Sequence, residues 1–243
     1  MDAMDLPHLG LIVPPAAGDV PPEGPALYAG RARFSARGLG LAEISNRGYD
    51  AVIDRVVQLA RALASDGVRA ISLMGTSLSF YRGGRANDEL KRAMAQATGL
   101  PCTTMSDAVV DGLRSVGATR VAVATAYIDE VNRQLDAFLR DGGFTPTALR
   151  GLAITDVHAV GDVATPVLLA LCREVYRAQP GAEAILISCG GLRTLEAARL
   201  AEAELGVPVV SSSPAGFWDL MRVAGLPAHS PGQGRLFEAR ADA

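Results

Sequence analysis

Three segments in the first half of the chain have counterparts at matching places in the second half. Residues 11–17 (LIVPPAA) match 121–127 (VAVATAY), residues 67–78 (GVRAISLMGTSL) match 181–192 (GAEAILISCGGL), and residues 99–108 (GLPCTTMSDA) match 206–215 (GVPVVSSSPA). Internal repetition of whole structural units indicates a duplicated architecture. We therefore predict two similar halves, the first formed by residues 1–117 with 214–243 and the second by residues 118–213.

Short apolar strands alternate with amphipathic helices along each half, which is typical of parallel sheets covered by helices. The predicted pairs are a helix at 46–66, capped by Asn46, followed by a strand at 68–74; a strand at 118–125 followed by a helix at 129–141; and a strand at 184–188 followed by a helix at 194–205. Ser213 and Pro214 are suited to open a last helix as N-cap and first residue. The fold class is therefore α/β, with two pseudo-symmetric Rossmann-like halves and a ligand cleft between them at the strand ends.

Composition limits the classes of partner. The 243 residues are 49% hydrophobic and carry a net charge of -3 without a basic cluster, so we expect a well-packed core and no nucleic-acid binding. Residues 9–17 contain Pro14 and Pro15 and do not resemble a signal peptide, and no apolar run approaches the roughly 20 residues that cross a bilayer. We expect a cytoplasmic protein, monomeric and without membrane contact, that acts on a small molecule.

Cys189 and its neighbours form the most informative segment of the sequence. Cys189 lies in Ser-Cys-Gly-Gly at the end of a predicted strand, where the turn exposes backbone N–H groups and the glycines allow a ligand to approach closely. The thiol could act as an acid or as a base, since a helix start favours the thiolate and an apolar cleft the neutral form. A buried cysteine with only a packing role is the alternative.

The matching segment of the first half runs from Met74, which we assign to the binding site, and has Gly75 where the second half has Cys189. Two cysteines would have predicted a racemase, which removes a proton on one face and returns it on the other. A single thiol suits a reaction that generates a carbanion by other means and protonates it once. Decarboxylation is such a reaction.

Hydroxyl groups near both turns could bind a carboxylate. Thr76, Ser77 and Tyr127, with the N–H groups after Gly75 and Cys189, could hold two oxygens and stabilise an enediolate as charge moves onto them. Helix capping is the alternative for the serine and threonine.

An apolar wall is predicted from Pro14 and Pro15 and from the loop 38–41, with Ile44 and Tyr49 nearby. Such a wall would desolvate a carboxylate that loses its charge. An ordinary turn and loop is the alternative.

Several absences argue against cofactors. Lys91 is the only lysine and falls within a helical pattern, and no phosphate-binding glycine motif follows a strand. His8, His158 and His229 are scattered without carboxylates at metal-ligand spacing, so we expect them at the surface. The three cysteines form no CxxC pair. No metal and no organic cofactor is predicted.

Seven stretches resemble a known family: IVPPAAG (12–18), GLGL (38–41), SLMGTSLSFYRG (72–83), ATGLPCTTMS (97–106), ATAYID (124–129), SCGGL (188–192) and VPVVSSSPAGFWD (207–219). They are similar to the bacterial arylmalonate decarboxylases of the aspartate/glutamate racemase superfamily, and the similarity runs along nearly the whole chain. Most of that superfamily has two cysteines facing across the cleft. The decarboxylases keep only the second, and Gly75 matches that departure.

The resemblance implies roles for individual residues. Cys189 is the expected proton donor, and Thr76, Ser77, Tyr127 and Gly190 form the expected dioxyanion hole. The apolar pocket of the departing carboxylate is expected to be lined by Pro14, Leu41, Ile44, Tyr49, Val157 and Val160. The resemblance further implies an α-aryl or α-alkenyl malonate as substrate, no cofactor, and one product enantiomer, usually the R acid for arylpropionates.

Two other functions stay open at this point. A racemase or cis-trans isomerase of the same superfamily would need a second acid or base, which Gly75 does not supply. A non-catalytic protein that binds small carboxylates would keep its ligand affinity when Cys189 is replaced by serine.

Overall fold

The computed structural model describes residues 6–238 and contains two parallel four-stranded sheets. The first sheet has β1 (His8–Val13), β2 (Arg33–Gly38), β3 (Ile71–Leu73) and β4 (Cys102–Thr104) in the order β2-β1-β3-β4. The second has β5 (Arg120–Thr125), β6 (Thr145–Gly151), β7 (Ala184–Ser188) and β8 (Val209–Ser211) in the order β6-β5-β7-β8. Each strand thus has one counterpart in the other sheet, which confirms the predicted α/β class with two similar halves.

Burial differs among the strands, and the edge strands β2 and β6 are the most exposed. Every residue of β1, β3 and β7 is buried, whereas β2 and β6 are partly exposed. Continuous apolar runs such as that of β7 are expected for parallel strands covered on both faces. The core therefore lies on both sides of each sheet. The carboxyl ends of the parallel strands are where a ligand site is expected.

Helices cover both sheets. Those of the first part of the chain are α1 (Glu23–Tyr28), α2 (Asn46–Val52), α3 (Val56–Ser65), α4 (Thr76–Phe80), α5 (Gly83–Thr98) and α6 (Met105–Ser115). They are followed by α7 (Asp129–Asp141), α8 (Thr165–Ala178), α9 (Leu195–Leu205) and α10 (Ser212–Val223). Within residues 6–238, no helix is long and apolar enough to cross a membrane.

The predicted helix 46–66 is interrupted and capped differently. A 3-10 turn at Ile53–Arg55 separates α2 from α3. Ser45, not Asn46, caps α2, since its hydroxyl oxygen accepts a hydrogen bond from Gly48 N at 3.2 Å. The Asn46 amide instead donates to the Glu130 carboxylate on α7, at 2.7 Å. Asn46 therefore ties the first half to the second.

Other predicted boundaries shift by a few residues. The strands predicted at 68–74 and 118–125 are shorter, whereas the helix at 129–141 and the strand at 184–188 are confirmed. The last helix begins at Ser212 with Ser211 as N-cap, so the prediction of Ser213 as N-cap was wrong. Pro214 lies in the first turn, where its missing N–H has no intrahelical partner to lose.

Helix α10 packs mainly against α6, and also against α1, both from the first part of the chain. This packing accords with assigning the C-terminal segment to the first half, although the domain boundaries stay a prediction. Residues 1–5 and 239–243, which belong to that predicted half, lie outside the described residues.

Loops from the two halves join above the strand ends. Ile44 N donates to Thr155 O at 2.8 Å, and Glu43 forms an antiparallel bridge with Asp156. This short pairing brings the loop after β2 against the loop after β6. It places the predicted apolar residues of both loops over the cleft.

Candidate active site

A cavity of about 240 Å³ lies where the strands β1, β3 and β7 end. All the predicted site residues except two tyrosines lie on its wall: Pro14, Pro15, Leu41, Ile44, Met74, Gly75, Thr76, Ser77, Val157, Val160, Cys189 and Gly190. Both halves contribute to it, as expected for a ligand site at the carboxyl ends of parallel strands. Apolar side chains predominate on this wall.

Cys189 follows β7 directly and is 6% exposed. Burial raises the pKa of its thiol to about 11, although the Gly191 N–H and the Tyr127 hydroxyl partly offset this by favouring the thiolate. At neutral pH the thiol is therefore protonated. Of the two roles that the sequence left open, the resting state fits the acid.

The turn at Gly75 occupies the matching place after β3. A Cβ built at Gly75 would lie 3.1 Å from the Leu78 Cβ and 3.3 Å from the Pro14 Cγ. The position is crowded, but its neighbours are side chains, and its φ of -132° suits any residue. Because glycine has no side chain, Gly75 contributes neither an acid nor a base to the cavity.

Thr76 and Ser77 begin α4 and are both buried. The Thr76 hydroxyl donates to the Met105 sulfur at 2.9 Å. A thioether is a weak acceptor, so this hydroxyl can turn to a carboxylate at little cost. No side chain caps the start of α4, which leaves its first N–H groups free to donate into the cavity.

Gly190 lies where the two strand-end turns meet. A Cβ there would be 2.8 Å from the Met105 sulfur and 3.1 Å from the Met74 carbonyl oxygen. Close approach, not backbone conformation, thus requires glycine at this position. The Cys189 N–H donates to the Ser212 hydroxyl at 3.3 Å, which fixes the start of the turn.

The two tyrosines predicted in the site lie behind the cavity wall. Tyr127 is 1% exposed, and its hydroxyl accepts a hydrogen bond from Ser188 at 3.3 Å. Burial raises the pKa of Tyr127 well above its usual value. Tyr49 is fully buried against the Tyr81 ring, and its hydroxyl has no partner within the described residues. Both phenols are neutral. Tyr127 lies beside Thr76 of the wall, and its hydroxyl is within reach of the Cys189 thiol.

Sequence reasoning missed the ionisable residues at the cavity mouth. Asp19, His158 and Arg193 lie on the wall and are exposed. Arg193 had a usable signal, because it follows Cys189 by four residues in the same turn. Among the histidines, His158 and His229 are exposed as predicted, but His8 is buried and bonded to Ser35 at 2.9 Å, so its surface prediction was wrong.

The fold and cavity define an α/β protein of two similar halves, with one buried, protonated thiol at one strand-end turn and a glycine at the matching turn. A family model described as arylmalonate decarboxylase matches residues 9–237. The chain therefore belongs to the arylmalonate decarboxylase family.

Three relatives illustrate the likeness. The chain is 55% identical over 239 residues to arylmalonate decarboxylase of Bordetella bronchiseptica, covering 98% of this chain and 99% of the relative. A liganded crystal structure of an arylmalonate decarboxylase double mutant, glycine to cysteine and cysteine to serine, superposes with a TM-score of 0.93 at 55% identity, over 96% of this chain and 99% of the other. Maleate isomerase of Nocardia farcinica is 28% identical, with 96% of each chain covered.

Proposed function

We propose that this protein is an enzyme that decarboxylates α-aryl or α-alkenyl malonates to the corresponding carboxylic acids and carbon dioxide, with Cys189 as the proton donor. The observation that carries the proposal is the pairing of a buried, protonated thiol with a glycine at the matching turn of the other half. Family membership supports the reaction class. One acid beside the cavity suits one proton delivery to one face of a carbanion.

The reaction balances without an added reagent. The bond between the α-carbon and one carboxylate breaks, carbon dioxide leaves, and the electron pair spreads over the retained carboxylate as an enediolate. The Cys189 S–H then gives its proton to the α-carbon, and solvent reprotonates the thiolate. An aryl or alkenyl group delocalises the same electron pair, so no metal or organic cofactor is needed as an electron sink.

Stabilisation of the enediolate is assigned to the donors at the two turns. Thr76 and Ser77 are buried, so their hydrogen bonds strengthen as charge grows on the two oxygens, and the N–H groups of the turns are assigned as further donors. Tyr127 acts from behind the wall, through Ser188 and Cys189. Removing one such donor typically costs about 10² to 10³ in rate.

The departing carboxylate is assigned to the apolar part of the wall. Leu41, Ile44 and Val160 are almost fully buried, and Pro14 and Val157 lie beside them. A carboxylate held against these groups is poorly solvated, and it loses its charge on leaving as carbon dioxide. Tyr49 backs this pocket instead of lining it.

Isomerisation is the second candidate function, favoured by the likeness to maleate isomerase over almost the whole chain. Against it stands Gly75, which provides no second reactive group. Incubation with maleate, followed by an assay for fumarate, separates the two candidates.

We also propose that the protein acts as a cytoplasmic monomer on small molecules, without nucleic-acid or membrane partners. Its net charge of -3 and its three free cysteines are compatible with this. Light scattering during size-exclusion chromatography tests the oligomeric state.

The central experiment measures carbon dioxide release from phenylmalonate and from a methyl-substituted arylmalonate in the presence of EDTA. We expect rapid release, one product enantiomer from the methyl-substituted substrate, and loss of activity in Cys189→Ser. Cys102→Ser is the matched control, because Cys102 is also a free thiol but lies outside the cavity. No release by the folded wild-type protein, or release only with added metal, would refute the proposal.

A further inference from the structure

Charge is unevenly distributed along the cavity. The thiol and the hydroxyl donors at its base are buried, and every side chain around them is uncharged. The charged residues of the wall are Asp19 and Arg193, both exposed at the mouth beside His158. The Arg193 side chain is 51% exposed. A ligand thus meets fixed charge only where it emerges from the cavity.

Arg193 is available to bind such a ligand. Its nearest acidic partner in the described part of the chain is Glu23, with 3.7 Å between the guanidinium nitrogen and the carboxylate oxygen. This separation is too long for a hydrogen bond. A guanidinium offers five N–H donors, which suit carboxylate or other anionic oxygens.

Glu23 attracts Arg193 electrostatically without a hydrogen bond. It is buried at the start of α1 and accepts a hydrogen bond from the Ser213 hydroxyl at 3.3 Å. Burial raises the pKa of Glu23, whereas Arg193, Ser213 and the Thr194 backbone favour its charged form. The arginine is therefore attracted to one side of the mouth, while its donors stay free.

We propose that Arg193 determines specificity for substrates whose aryl or alkenyl group carries an anionic substituent at the end remote from the malonate carbon. The inference rests on the proposed function. With the reacting carbon at the Cys189 sulfur and the retained carboxylate at Thr76 and Ser77, both malonate carboxylates lie at the uncharged base. The remote end of the substituent is the part of the substrate that reaches the mouth.

Asp19 lies on the same rim and repels an anion. It therefore provides a second test in which the expected effect has the opposite sign. The two side chains form no ion pair within 4.0 Å, so each acts on a ligand separately. Removing the Asp19 charge should therefore strengthen the preference that removing the Arg193 charge weakens.

The test is the ratio of kcat/KM for (4-carboxyphenyl)malonate to that for phenylmalonate. We expect Arg193→Met to lower this ratio about fivefold, near the upper limit for a half-exposed ion pair. Arg193→Lys should lower it less, and Asp19→Asn should raise it. Added salt should lower the wild-type ratio. Arg199→Met is the matched control, since Arg199 is an exposed arginine of α9 away from the cavity, and it should leave the ratio unchanged.

Two outcomes would overturn the inference. Both leave the ratio unchanged in Arg193→Met: either neither substrate loses kcat/KM, which would mean that Arg193 touches no part of the substrate, or both lose it equally, which would mean that Arg193 attracts the malonate group itself. Calorimetric affinities of (4-carboxyphenyl)acetate and phenylacetate measure the same contact without chemistry. A protein that binds both acids but releases no carbon dioxide would therefore refute the proposed reaction and still decide the role of Arg193.

Discussion

The turns after β3 and β7 occupy the same place in two sheets of the same strand order, yet they differ in chemistry. The first has Gly75 followed at once by the hydroxyl residues of α4, and the second has Cys189 followed by two glycines and a longer path to α9. In the proposed reaction, one turn supplies hydrogen-bond donors and the other supplies the acid. Duplication thus provides the geometry, and a single side chain sets whether protons can be delivered from one face or from two.

The largest expected effect comes from removing the acid. Cys189→Ala should lower kcat for decarboxylation about 10³-fold, within the range of roughly 10² to 10⁴ that a positioned acid contributes. Single-turnover carbon dioxide release measures the chemical step directly. A loss below about tenfold would show that solvent protonates the enediolate and that the two turns do not differ as proposed.

Moving the thiol from one turn to the other should reverse the configuration of the product. Gly75→Cys combined with Cys189→Ser moves the thiol to the matching turn, where neighbouring side chains can yield by a few tenths of an ångström. We expect a slower enzyme whose product from a methyl-substituted arylmalonate has the opposite configuration, measured by chiral chromatography. Cys189→Ser alone is the control. The original configuration from the double variant would contradict the comparison.

High pH should remove the acid without mutation. Because the protonated thiol is the reactive form and its pKa is raised to about 11, kcat should stay level through neutral pH and fall as pH rises through that value. The ultraviolet thiolate absorbance of wild type minus that of Cys189→Ser should rise over the same range, while circular dichroism monitors folding. A fall in kcat near the ordinary thiol pKa would instead indicate a hydrated cysteine.

The smallest expected effect is the difference in stability between alanine variants of the two glycines. Gly190→Ala should reduce the free energy of unfolding by about 1 to 3 kcal/mol, the usual cost of overpacking, because its Cβ would press on the Met105 sulfur and on backbone oxygen. Gly75→Ala should cost less, since only side chains must move. Urea unfolding measures both. Equal costs would mean that the junction at Gly190 is no tighter than the turn at Gly75.

The repeat made most of the fold predictable from sequence. Matching segments indicated the equivalent strands, and short apolar runs between amphipathic helices indicated parallel sheets. The same matching placed Cys189 and Gly75 together, because the carboxyl ends of equivalent strands converge in a duplicated α/β fold. The break between α2 and α3 was not predictable, since neither glycine nor proline marks Ile53–Arg55.

Side-chain direction limited the prediction of the site. Tyr127 was expected at a strand end and Tyr49 near the loop 38–41, but the sequence does not encode the direction in which either ring points. Their packing against Phe80 and Tyr81 draws them behind the wall. Arg193 was missed although it follows Cys189 by four residues, because an exposed arginine is common and its significance depends on the uncharged wall around it.

The bridge between Glu43 and Asp156 has an evolutionary consequence. The apolar pocket is assembled from Leu41 and Ile44 of one half and Val157 and Val160 of the other, and it belongs to neither repeat alone. Mutations in these two loops can accumulate without altering the strand ends that hold the thiol and the hydroxyl donors. Mutations in the loops can therefore change the substrate that the pocket accepts. The residues proposed to protonate the product remain unchanged.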